Sequence, residues 1–339
     1  MVMTNGGARA DLVVDGREAI TRLRSAVIGH SRLVKAERHL RDLHAENRTA
    51  DEQRCILICG DTGSGKTSLL RRFSLPFQER VTPEADILPV LQVVCPAKCT
   101  IKSLAETMLV QLGDPRPGLG TVPSLTRRVL TLLEGRGVEI VLLDEFQQLV
   151  DHRTERVAVE VSDWVKSLLN GGPCPIALVG MPGAERVLDA NPQLARRCMA
   201  RVGLTEFDPG SEQDRLEFRN ILGRLEKVLD LPQSSGLHRA DLSLRIQVAT
   251  GGLLGGVAAL LSNALRLAED RRMSCLDQLV LRDAHEQSRP LGRRHWQNPF
   301  DLDQPEPVVA GPELVNGQPN RETRLRKRKS SPAFAEEGV

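Results

Sequence analysis

The sequence contains no tyrosine, and aromatic residues of every kind make up only 3% of its 339 positions. Proteins that grip single-stranded nucleic acid commonly stack its bases on aromatic rings. So small a supply argues against such a surface and leaves the core to leucine, valine, isoleucine and alanine. A long apolar run is also lacking: none approaches the ~20 residues that cross a bilayer. Met1 to Ala10 is polar and glycine-rich, without the apolar stretch of a secretory signal. Seven cysteines in that setting read as reduced thiols, and a cytoplasmic location is expected. Cys55/Cys59 and Cys95/Cys99 lie on or beside apolar segments with no histidine at ligand spacing, so no metal site is expected of them. An excess of one charge is missing as well, since the formal net charge is +2. Local bias survives within that sum. Arg321 to Lys329 carries six basic residues and one acid, the pattern of a solvated tail or a nucleic-acid arm.

What is present is patterned. Ile20, Leu23, Val27, Leu33, Leu40 and Leu43 recur at roughly helical spacing over residues 17–46, with Ser31 as the N-cap of a second helix. Apolar runs at 54–59, 89–94, 139–143 and 176–180 read as four buried strands, separated by helices over 68–73, 101–112, 125–134 and 154–169. That alternation predicts an α/β fold, a parallel sheet covered by helices on both faces. Beyond Pro209 only helical patterns follow, at 212–229, 241–250, 254–270 and 276–289. From Pro290 the chain turns rich in proline, glycine and charge and reads as an extended tail. The expected organisation is an N-terminal helical segment over 1–50, an α/β core over 51–210, a helical unit over 211–289 and a basic tail over 290–339.

Two motifs carry chemistry. Gly60-Asp61-Thr62-Gly63-Ser64-Gly65-Lys66-Thr67, with Ser68 after it, satisfies every fixed position of the phosphate-binding loop. Glycines let backbone N–H groups wrap phosphate, Lys66 supplies a cation, and the Thr67 hydroxyl is a ligand for Mg²⁺. The cofactors expected are therefore ATP and Mg²⁺. The strand at 139–143 delivers Asp144 and Glu145 to its C-terminal edge, Asp144 for Mg²⁺ and Glu145 to polarise an attacking water. An acid placed for water points to hydrolysis, not to transfer onto a second substrate. Lys98 and Lys102, and Arg153 and Arg156, follow two of the strands and are candidates for a nucleic-acid backbone, with solvated helix faces as the equal alternative.

The order of these motifs resembles that of AAA+ ATPases, and within them the TnsC/TniB family of transposon ATPases. The resemblance rests on Ile28-Gly-His-Ser-Arg32, Leu57 to Leu69, Asp144-Glu-Phe-Gln-Gln148, Ile176 to Pro182 and Asn191-Pro-Gln-Leu-Ala-Arg196-Arg197. It implies an AAA+ P-loop core with a C-terminal helical lid. It further implies a homo-oligomeric ring or filament on double-stranded DNA, linking a TniQ-type target selector to a transposase. An arginine in the Leu194–Arg201 stretch, Arg197 first and Arg196 second, would reach the γ-phosphate of the neighbouring subunit. Met181 and the Gly251–Gly256 stretch stand where many AAA+ proteins carry polar and arginine sensors, which suits a slow switch better than a motor. The rival readings are an AAA+ ATPase of a secretion or cell-envelope system, a phosphotransferase using the same loop, and a nucleotide-binding signalling scaffold.

Overall fold

The computed structural model describes residues 13–26, 28–46, 52–81, 86–151, 154–288 and 297–303. Two helices, α1 (Gly16–Ser25) and α2 (Ser31–Glu46), precede the first strand, β1 (Cys55–Cys59). Then come α3 (Lys66–Ser74), the short β2 (Arg80–Val81) and β3 (Asp86–Ile87), and β4 (Val90–Val94). The chain continues through α4 (Ile101–Gln111), α5 (Val122–Gly135), β5 (Ile140–Asp144), α6 (Glu155–Gly171) and β6 (Ile176–Gly180). Next are α7 (Arg186–Asp189), α8 (Pro192–Arg197) and β7 (Cys198–Gly203). Four helices close the fold: α9 (Glu212–Leu229), α10 (Ala240–Ala249), α11 (Leu254–Asp270) and α12 (Gln278–Glu286).

Five strands form one parallel sheet in the order β4-β5-β6-β1-β7. Side chains alternate across a strand, and here each side finds its own helical cover. Leu57, Val93, Leu143 and Leu178 pack with α4, α5 and α6, whereas Ile56, Ile58, Leu142 and Val179 pack with α2 and α3. Burial on both faces is why these strands read as unbroken apolar runs.

The sequence reading misses four features. β7 is a fifth strand at the sheet edge, and β2 pairs with β3 as a small antiparallel ribbon. Ser31 is the first residue of α2 and not its cap: its N–H and hydroxyl donate to Glu217 of α9, and His30 Nδ1 accepts from Leu33 N at 3.4 Å instead. The tail expected from residue 290 holds a packed piece. Phe300 is buried, and the Arg245 guanidinium donates to the carbonyls of Pro299 and Leu302, at 2.8 and 2.6 Å.

A separate apolar cluster joins α9, α10, α11 and α12 into the lid, and Ala19, Ile20 and Leu23 of α1 belong to it. α1 therefore packs on α11 and α9, while α2 packs on the sheet. In the first turn of α2, Arg32 stacks 4.1 Å from the Phe207 ring and bonds Asp214 of the lid at 2.7 Å. Among the described residues no single helix is long and apolar enough to cross a membrane.

Candidate nucleotide site

The loop from Gly60 to Thr67 runs from the end of β1 into the N-terminus of α3. Its backbone takes positive φ at Gly63 (83°) and Gly65 (99°), which glycine adopts without a Cβ penalty. Space is as demanding at Gly60, where a Cβ would lie 2.5 Å from Ser64 Oγ and 2.6 Å from the Leu204 carbonyl oxygen. Gly65 is the N-cap of α3 and offers no side-chain acceptor, so the first N–H groups of the helix stay available to an anion. Lys66 is buried, and its ammonium donates to the carbonyl oxygens of Gly60 (2.7 Å) and Asp61 (3.0 Å). Ser64 Oγ is buried without a partner among the described residues. Thr67 and Ser68 are exposed at the start of α3.

The acids arrive on the next strand but one. Asp144 ends β5, buried at 3% exposure, and accepts from Glu145 N at 2.9 Å. Burial pushes its carboxyl above the usual value. The Glu145 charge pushes the same way, while the Glu145 amide and the Lys66 ammonium oppose them. Glu145 takes the left-handed conformation (φ 55°) and is partly exposed. Beneath the loop, burial pushes the Cys59 thiol up to about 12, which keeps it a protonated core group.

The loop, Glu145, the α1–α2 connection and the lid enclose a cleft of about 380 Å³. Leu23, Ile28, Ile221, Leu225 and Leu254 give it an apolar side, and Thr62, Lys66 and Thr67 a polar side. An apolar slot next to a phosphate cradle suits a nucleotide, base on one side and phosphates on the other. His30 also lines it, held neutral because burial pushes its imidazole down to about 4. The lid touches the loop directly, with Gly255 N donating to the Gly63 carbonyl at 2.8 Å. The residues also fit Mg²⁺: a hydroxyl on Thr67 and a carboxylate on Asp144 are hard oxygen donors of the kind that ion takes.

The model of the bacterial TniB protein family matches residues 20–207. The chain belongs to that family. No curated protein sequence matches it. Among solved structures it resembles CDC6P from Pyrobaculum aerophilum, 14% identical, with a TM-score of 0.57 over 81% of this chain and 72% of that one. It also resembles the Aeropyrum pernix ORC2 protein in its ADPNP-ADP complexes, 15% identical, TM-score 0.53, over 81% and 72%. A third is the Aeropyrum pernix ORC1 protein in complex with DNA, 17% identical, TM-score 0.51, over 83% and 71%. At such identities what is shared is the fold, that of an AAA+ ATPase.

The remaining candidates of this TniB-family chain are scattered. Arg196 and Arg197 end α8 and lead into β7. Arg197 turns back on its own chain, 3.5 Å from Glu52, whereas Arg196 is exposed and pairs with no acid among the described residues. Lys98 is exposed on a left-handed turn between β4 and α4 (φ 56°). Lys102 lies 3.7 Å from Glu106, and Arg156 lies 3.1 Å from Glu160 with its side chain 88% exposed. Both pairs are i, i+4 neighbours on solvated helix faces. Arg153 and the basic run 321–329 lie outside the described residues. Sequence reasoning passed over the lid–loop contact at Gly255 and the buried Gln147, of which the only trace in the sequence is polarity two residues after Glu145.

Proposed function

We propose that this chain is an ATP-hydrolysing regulator of DNA transposition, which assembles on double-stranded DNA and links a TniQ-type target selector to the transposase. The observation that carries the reading is the convergence of the phosphate loop, Glu145 and the lid on one cleft in a chain of the TniB family. Backbone N–H groups of Gly63 to Thr67 and the Lys66 ammonium hold the ATP phosphates. Thr67 and Asp144 would hold Mg²⁺, which when bound would neutralise charge on the phosphate oxygens. Glu145 orients a water and takes its proton as the water oxygen bonds to the γ-phosphorus. The bond to the bridging oxygen breaks and ADP leaves.

Hydrolysis so placed serves assembly. Arg196 of a neighbouring subunit, exposed at the end of α8, completes the charge around the γ-phosphate, so the subunit interface and the nucleotide are one equilibrium. Many weak phosphate contacts, with Lys98, Lys102 and Arg156 among them, then add along the DNA. The working location is the cytoplasm. Electron microscopy and gel filtration with ATP, with and without double-stranded DNA, test this. Rings or filaments forming only with both are expected, and a monomer indifferent to nucleotide would sink the reading. Glu145→Gln should hold the assembly on DNA in excess ATP for at least roughly tenfold longer than wild type, on the scale of removing one positioned acid-base group. Dissociation at the wild-type rate would separate hydrolysis from release.

A further inference from the structure

Gln147 is a glutamine with both ends of its amide committed. It is 1% exposed. Its Nε2 donates to Glu145 Oε2 at 2.5 Å, and its Oε1 accepts from Met181 N at 3.0 Å, just past the end of β6. The carboxylate at the end of one strand is thereby tied to the backbone at the end of the next. Room for the tie is made by Gly180, where a Cβ would stand 2.5 Å from Gln147 Oε1. Met181 has no polar side chain, and its N–H is linked to Glu145 through this amide instead. Glu145 also needs holding, because its φ of 55° lies in the left-handed region that a non-glycine residue rarely adopts. From Met181 the chain runs through residues 182–185 and α7 to α8, which carries Arg196.

We propose that Gln147 is the positioning residue for Glu145, fixing the carboxylate that orients the attacking water and coupling it to the segment that leads to the arginine pair. The inference rests on the reading of Glu145 as the water-polarising acid. A buried glutamine kept only for stability would change melting temperature when replaced and leave turnover per folded molecule alone. A positioning amide changes kcat and leaves nucleotide binding in place, because misplacing a reacting group costs rate and not affinity.

The test measures ATP turnover of the full chain with double-stranded DNA, and binding of a fluorescent non-hydrolysable ATP analogue. The variants are Gln147→Met, Gly180→Ala and the pair together. Gln147→Met keeps the length of the side chain without its amide. Gly180→Ala leaves Gln147 intact and crowds its oxygen. Each single variant is expected to lower kcat about tenfold or more, with KM and analogue affinity within about twofold, on the scale of a mispositioned catalytic group. The double variant should fall no further than the weaker single, as substitutions on one link do. Analogue binding at wild-type affinity shows that a variant has folded. If wild type turns ATP over and Gln147→Met does so within about twofold, the role of Gln147 is overturned and the functional reading stands. A variant that loses kcat and analogue affinity together assigns Gln147 to structure alone and overturns the proposal equally. A wild-type chain that binds the analogue but never turns over ATP overturns both.

Discussion

Asp144 shows how a binding site sits at odds with the stability of the fold that holds it. Its carboxyl is pushed above the ordinary 3.8, chiefly by burial. A carboxyl raised in the folded state stabilises the fold below its unfolded value, and that contribution is lost as pH rises through the folded value. At neutral pH the charge is therefore a burden until a cation arrives. Nucleotide-free Asp144→Asn should melt above wild type at pH 7, with the gap closing as pH falls towards 3.8. Adding Mg²⁺ and ATP should reverse the order, since wild type gains the linkage of a bound ligand and the variant gains less. Differential scanning fluorimetry at pH 7 and at lower pH, with and without the ligands, checks both halves. The residues of the loop and the acid pair were legible because their motifs are contiguous in the chain. The different surroundings of Arg196 and Arg197 were not, because they depend on Glu52, about 145 positions upstream, which lies beside Arg197.

Among elements, those with a complete local signal were readable and those defined by a distant partner were not. β1, β5 and β6 lie inside the sheet, β4 at its edge is still mostly buried, and all four announce themselves as apolar runs. β7 borders only β1, is half-exposed over its first three residues and carries Arg201 in its middle, so Cys198–Gly203 has no run to read. β2 and β3 are two residues each, too short for any pattern. α11 hides a different feature. Its N-terminal turn lies against the phosphate loop, and a Cβ at Gly255 would stand 2.5 Å from Gly63 Cα, backbone against backbone. Neither glycine signals the other across the intervening chain. Gly255→Ala should push the lid off the loop at a cost of the order of 1–3 kcal/mol for overpacking. ATP should then bind about tenfold more weakly, as measured by titration with a fluorescent analogue. Gly118→Ala, with nothing within 4 Å of the added carbon, is the control that should bind as wild type does.

At the scale of the molecule, the site is finished only by a second copy if Arg196 acts across an interface. That gives a test no single subunit can mimic. Arg196→Ala and Glu145→Gln should each lower turnover on DNA by roughly 10² or more, the scale of a lost arginine finger or water-positioning acid. Mixed together they should recover part of it, because a subunit with an intact Glu145 then meets a neighbour with an intact Arg196. Recovery in the ATPase rate of the mixture is the expected outcome. A mixture no faster than its components would place the arginine's partner within its own chain.

The packing of α1 on the lid has a consequence for how the protein is made. α1 leaves the ribosome before the sheet, yet its partner α11 lies more than two hundred residues later. At bacterial-scale synthesis of about 5–20 residues per second, the wait is roughly 10 to 50 s. Until α9 and then α11 emerge, Ala19, Ile20 and Leu23 have nothing native to cover them. The sheet and its helices can be complete while α1 is still idle, so the cleft between them is closed last, by the lid helices meeting α1.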